Sequence, residues 1–242
     1  MKRGSLKLFR NWKEAETFLV VLLVLTVIFS FPDREPLFVF AVTLLVLLLS
    51  LVFTKIAGHK YGVETELTLW VIKRYYLSQT KRLPKKIIGR TIYSFPAGVF
   101  FPLLFALFTK GYFPFSLVSS YNQIETHRMG TLRPHLMEWE HAKIIFLGLA
   151  PLIILIPFLN AFSLAIPLFI VTFFVMGQLL PLPGSNGLIL AFSSPTLYVF
   201  TVALFFSMIA LLQVINIILI LVLALTFAML VAVFYYYNRY AS

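Results

Sequence analysis

The sequence predicts an all-α integral membrane protein with about six transmembrane helices and a partly re-entrant insertion on its cytoplasmic side. Three observations carry this. Apolar residues form 60% of the chain and charged residues 12%, whereas a soluble domain is about half apolar and about a quarter charged. The excess lies in runs without Asp, Glu, Lys or Arg: Thr17–Phe31, Pro36–Thr54, Ile144–Pro181 and Leu197–Tyr237. The basic residues, finally, can nearly all be placed on one side of a membrane.

A helix needs about 20 mostly apolar residues to cross the hydrocarbon. In lipid the backbone must satisfy its own hydrogen bonds, so such runs are read as helices rather than as a large soluble core. The expected spans are about 15–31, 36–54, 142–158, 161–180, 197–213 and 216–237. The third and fourth join at Phe158–Asn160, and the last two near Gln213–Asn216. The whole chain, 1–242, is expected to be a single polytopic domain.

Residues 1–14 form a basic segment, with Lys2, Arg3, Lys7, Arg10 and Lys13 among Leu6, Leu8, Phe9 and Trp12. It reads either as a membrane-surface segment or as a disordered tail. No small-x-small cleavage site follows Ser30, so the first apolar run is expected to be retained as a span. Residues 55–141 hold all four His and many charges, which places most of this region outside the hydrocarbon. Within it, Val63–Tyr76 has the β-branched, alternating character of strands or an amphipathic hairpin. Residues 93–115 are apolar but broken by Pro96, Pro102, Gly111 and Pro114. They cross, or they enter and leave by one face.

Charge favours re-entry. With six spans and a re-entrant 93–115, nineteen of the twenty Lys and Arg lie inside and only Arg34 outside. Both termini are then cytoplasmic, in a multi-pass protein of the cell membrane. The net charge of +11 serves orientation in this reading, and nucleic acid is not expected as a partner. The Lys81–Arg90 run is either an anionic-lipid site or an orientation signal alone. With no Cys, disulfides and thiolate metal sites are excluded. Asn160 and Gln178, polar residues in or near spans, are expected to make interhelical hydrogen bonds.

Two segments fall on the same inner side: Leu49–Gly62 after the second span, and Leu180-Pro181-Leu182-Pro183-Gly184-Ser185-Asn186-Gly187 after the fourth. Together they resemble the core of the site-2 protease family (M50-type intramembrane zinc metalloproteases), in its archaeal branch. That family carries His-Glu-x-x-His-Lys, then a Gly, a Glu-apolar pair and a Trp. Lys55, Gly62, Glu66-Leu67 and Trp70 fit that frame. Leu180–Gly187 fits the family's Leu-Pro-x-Pro-x-Leu-Asp-Gly loop. The resemblance spans about residues 36–200.

In that frame Ser50 stands for the first His, Leu51 for the catalytic Glu, Thr54 for the second His and Asn186 for the Asp ligand. Zinc hydrolysis needs imidazole or carboxylate ligands and a base for the bound water. The resemblance therefore implies a site-2-protease-like core with no catalytic residues and no zinc. Its expected role is to bind a membrane protein segment, or to serve as a subunit or regulator of a membrane complex. Pro181, Pro183, Gly184 and Gly187 would form the binding loop. The alternative is an active metalloprotease with zinc on His135, Glu138 and His141, residues at three-residue steps whose outer members lie about two-thirds of a turn apart on a helix. A hydrated cap is the plainer reading of that cluster, and His59 and His127 read as surface residues. A transporter or channel is weaker still, because the only charged residues within the expected spans, Glu16 and Lys143, stand at their ends. The expected partners are the lipid bilayer and another membrane protein.

Overall fold

The computed structural model describes residues 8–31, 33–73, 86–87, 90–91, 94–125, 137–213 and 216–240. Helices dominate them. Helix α1 covers Trp12–Ser30 and α2 Pro36–Tyr61, and α3 is a shorter helix, Ala97–Phe108. Beyond it come α4 (Glu138–Ala161), α5 (Ala165–Leu179), α6 (Asn186–Ser193), α7 (Pro195–Ala210) and α8 (Ile217–Tyr240). Among the described residues, three helices are long and apolar enough to cross a membrane: Pro36–Tyr61, Glu138–Ala161 and the stretch Ile217–Arg239 of α8.

Three helix ends differ from those expected of the sequence. Helix α2 runs seven residues past Thr54, through Lys55 and His59, and ends at Gly62, whose left-handed backbone (φ 72°) lets its N–H reach the His59 and Gly58 carbonyls. Helix α4 continues to Ala161, so the turn into α5 lies at Phe162–Leu164 rather than Phe158–Asn160. The stretch after the fourth expected span is not all loop, because α6 begins at Asn186. Asn160 donates to the Leu212 carbonyl at 2.7 Å, in the turn that follows α7 rather than in a helix.

The fold is helical with one addition, a set of short strands. They are β1 (Val63–Leu69), β2 (Ile72–Lys73), β3 (Lys86–Ile87), β4 (Arg90–Thr91), β5 (Ser94–Phe95) and β6 (Ser119–Glu125). Val63–Leu69 is extended, as its β-branched residues predict. It does not fold back on its neighbour, however. It pairs antiparallel with β6, with Leu67 opposite Tyr121. Because the chain reverses at Gly62, β1 runs back along the last turns of α2: Gly58 packs on Val63 and Thr65, and Lys55 bonds to Thr65.

The segment 97–118 is a hairpin closed at one residue. The Gly98 N–H donates to the Trp70 carbonyl, and the Trp70 N–H donates to the Val118 carbonyl. Between these points α3 advances about 18 Å, the chain turns at Lys110–Gly111, and residues 112–118 return. The tip reaches far, with Gly111 packed on the backbone of Phe31 at the C-terminal end of α1. Lys110, counted among the inner cations by the sequence reading, therefore stands at the same end of the bundle as Arg34. At the opposite end of α1, Glu14 meets Lys55 and Leu67.

The core is apolar and shared by the helices. Leu25, Ile28, Val39, Leu51, Leu152, Ile153, Ile156, Ile170, Val175 and Phe205 are all fully buried. The outward face of α8 is broadly apolar, with Leu230, Val233, Phe234 and Tyr237 exposed. That pattern suits lipid rather than water.

The hairpin geometry makes a topological prediction. His59 and Lys110 are both exposed but sit at opposite ends of the bundle, and the chain has no native Cys to interfere. A single Cys at position 59 and one at position 110 should react with an impermeant maleimide from opposite sides of the membrane. Labelling of both from one side would contradict the hairpin's depth.

Candidate functional site

The site is built around a two-stranded ribbon set among helices. In the β1–β6 pair, each strand has one edge facing its partner and one facing away. Outward-facing N–H and C=O groups buried in a bundle must find partners. Side chains supply them on both edges.

On the β1 edge, the Leu67 N–H donates to Glu14 Oε1 at 3.0 Å, and Lys55 Nζ donates to the Thr65 carbonyl at 3.1 Å. Glu14 and Lys55 also pair with each other at 2.8 Å. Both side chains are buried, 0% and 7% exposed. Glu14 Oε2 takes a further bond from the Arg10 backbone. A buried ion pair stands only when its remaining hydrogen-bonding capacity is met, and here the strand meets it. Lys55 is marked by its motif position. Glu14, at the end of the basic segment 1–14, carries no local signal of this role.

On the β6 edge, the Tyr121 N–H donates to Asn186 Oδ1 at 2.9 Å. Asn186 Nδ2 donates to Gln178 Oε1 at 2.6 Å, and Gln178 Nε2 donates to the Ser119 carbonyl at 3.2 Å. Asn186 is 1% exposed and Gln178 0%. The two amides act as a short stand-in for a neighbouring strand. Their supports are local. Asn186 is the first residue of α6, whose N-cap Ser185 accepts from the Leu188 N–H. The Ser185 hydroxyl also donates to the Leu180 carbonyl and accepts from the Leu182 N–H, which folds Leu180–Asn186 on itself. Trp70 Nε1 fastens the loop from outside, donating to the Pro183 carbonyl at 2.8 Å.

The side chain of Tyr121 faces α2. Its hydroxyl lies 3.1 Å from Ser50 Oγ and also meets the Thr54 hydroxyl. Tyr121 stands on a strand outside the spanning helices, and burial pushes its phenol up to about 12, with the hydroxyl contacts opposing that rise. The group is neutral. Thr54 Oγ1 donates back to the Ser50 carbonyl at 2.7 Å. Helix α4 closes over it at Gly148, where a Cβ would fall 2.1 Å from Thr54 Oγ1.

Ser50, Thr54 and Asn186 thus gather on one residue, two at the Tyr121 hydroxyl and one at its backbone N–H. Leu51 points elsewhere, into the apolar core. The set does not fit zinc. It offers hydroxyls and an amide without imidazole or carboxylate, and each of these groups is already bonded to protein. Uncharged oxygen donors suit zinc badly. Tyr121 was not singled out by the sequence. Its only local signal is one aromatic residue among the polar Ser119–Gln123.

The other predicted residues are scattered. His135 and His127 lie outside the described residues, as does most of the Lys81–Arg90 run. Glu138 is exposed, and His141 bonds through Nδ1 to the Gln123 side chain, bracing β6 against α4. Among the described residues, no three His, Cys, Asp or Glu are grouped to hold a metal. His59 is exposed, as expected. Of the binding-loop residues, Pro181, Pro183 and Gly184 are exposed, but Gly187 is buried. A Cβ there would lie 2.4 Å from the Leu179 carbonyl, so this glycine serves close packing and not a binding surface. Comparison with family models, curated proteins and solved structures finds no match.

The two amides give a graded prediction. Asn186→Leu leaves the buried Tyr121 N–H without an acceptor, a loss of about 1–3 kcal/mol. Asn186→Asp keeps that acceptor but faces Gln178 Oε1 with another acceptor. Gln178 must then turn its amide, and the Ser119 carbonyl loses its donor. Unfolding in mild detergent should show both variants destabilised, and adding Gln178→Leu to Asn186→Leu should be less than additive. Full additivity would mean the pair is not one network.

Proposed function

We propose that this chain is a non-catalytic relative of the site-2 proteases, embedded in the cell membrane, which binds a membrane protein segment as a subunit or regulator of a membrane complex. The observation that carries the reading is the occupation of the would-be metal centre by Tyr121, with Ser50, Thr54 and Asn186 all turned to it. The resemblance requires those three positions to converge, and their chemistry favours a hydrogen-bonded plug over an ion. Leu51 has no atom able to take a proton from water.

In this reading α1, α2, α4, α5, α7 and α8 are six spans, with both termini on the cytoplasmic face. The 97–118 hairpin enters and returns by that face. The exposed Pro181, Pro183 and Gly184 present the partner-binding surface. The loop is rigid enough to serve, being tied inside by Ser185 and outside by Trp70. Strand addition to the ribbon is disfavoured, because side chains hold both of its edges. The rival reading, a protease with rebuilt ligands, draws no support from His141, which is bonded to Gln123.

Two measurements test the proposal. Metal analysis of purified, chelator-washed protein should find zinc far below one per chain. A photo-crosslinking residue at position 183 should trap a discrete membrane protein in cells, and one at lipid-facing Leu230 should not. Stoichiometric zinc with cleavage of a membrane substrate would overturn the pseudoenzyme reading. Equal, diffuse labelling from both positions would overturn the binding role.

A further inference from the structure

We infer that the Leu180–Asn186 loop and the 97–118 hairpin open and close as one unit, with Trp70 as the joint, so that a contact made at the loop is felt at the hairpin's far tip. The unit stands on its own geometry and does not depend on the site-2-protease reading. Only its use by a partner rests on the proposed binding role of the loop.

Trp70 stands between β1 and β2 and bonds in three directions. Its backbone N–H donates to the Val118 carbonyl at 2.9 Å, and its carbonyl accepts from the Gly98 N–H at 2.8 Å. Its indole Nε1–H donates to the Pro183 carbonyl at 2.8 Å. The first two bonds hold the two feet of the hairpin, and the third holds the loop. Trp70 is 3% exposed, so breaking any of these bonds leaves a group without water to replace its partner. The feet also touch each other, since a Cβ on Gly98 would collide with the Val118 carbonyl.

Side chains repeat the arrangement. The Trp70 ring lies 6.2 Å from the rings of both Phe101, on α3, and Phe115, on the returning segment. Leu182 of the loop packs against the buried group of Trp70, Ala97 and Leu117. Lifting the loop therefore uncovers Trp70, and moving Trp70 breaks the feet of the hairpin. At the other end of α3 the Gly111 N–H donates to the Ala106 carbonyl at 2.9 Å, and Gly111 packs on Phe31. The returning segment is pinned to α5 by the Ser116 hydroxyl, which donates to the Phe173 carbonyl, and α5 ends at Leu179, where the loop begins. Loop, joint, hairpin and α5 thus form a closed ring of contacts, and contiguous packed units of this kind open together.

The test is site-resolved hydrogen exchange of the full chain in nanodiscs, with no partner added. Three buried amides report: Ser185, bonded to the Leu182 carbonyl, for the loop, Gly98 for the feet and Gly111 for the tip. Gly184→Ala perturbs the loop alone. Its φ of 80° strains any side chain, while the added Cβ meets only ordinary contacts, 3.5 Å or more away. It should speed all three amides alike, by about tenfold. Trp70→Phe keeps both backbone bonds and an aromatic ring but removes the bond to Pro183. In that background Gly184→Ala should still speed Ser185 and should leave Gly98 and Gly111 unchanged. Leu182→Ala, which thins the loop's packing, should give the same pattern and serves should Gly184→Ala misfold. Loop variants that speed Ser185 but leave Gly98 and Gly111 at their original rates would overturn the joint. Equal transmission with and without the indole bond would overturn it as well. Neither result bears on the loop's binding role, which crosslinking at position 183 tests separately.

Discussion

A β-ribbon inside a helical bundle must satisfy the two edges that its own pairing leaves open, and the architecture follows from how that is done. Helices close their backbone bonds within themselves, but a two-stranded ribbon cannot. On one edge Glu14 and Lys55 reach the Leu67 N–H and the Thr65 carbonyl. On the other, Asn186 and Gln178 reach the Tyr121 N–H and the Ser119 carbonyl. These four side chains come from α1, α2, α6 and α5. The ribbon therefore ties together helices that also pack on one another directly. Burying Glu14 and Lys55 would be unfavourable as isolated charges. Set against the strand, each acquires partners that repay much of the desolvation.

The same constraint bears on function. A polar centre of Ser50, Thr54, Tyr121, Asn186 and Gln178 in the interior looks at first like a site poised for chemistry. Its bonds point inward, however, each donor matched to an acceptor within the protein. Such a network specifies packing and register, and changing one member leaves others unpaired. Polar residues in the interior hold the fold.

The helices were legible in the sequence because apolar runs of this length have few other outcomes. Their ends were less so. Lys55 closes the charge-free run that marks the second span, yet it pairs with a Glu forty-one positions away, and α2 continues to Tyr61. Val63–Leu69 showed its strand character in its β-branched residues. Its partner Ser119–Glu125 did not, since Ser-Ser-Tyr-Asn-Gln-Ile-Glu has no clear alternation and the pairing closes over some fifty residues. Motif spacing brought out Ser50, Thr54 and Asn186, because frame positions survive when their chemistry does not. It could not bring out Tyr121, which belongs to no motif, or Glu14, whose role depends on a strand that local sequence does not announce.

The central claim is that side chains seal both edges of the ribbon. Site-resolved hydrogen exchange of the Leu67 and Tyr121 amides, in the full chain in mild detergent or nanodiscs, tests it most directly. The account predicts that both exchange as slowly as amides in the middle of α2 and α4, and that Glu14→Gln speeds Leu67 selectively while Asn186→Leu speeds Tyr121. Rapid exchange of either amide in the unaltered protein would show an open edge and would contradict the account.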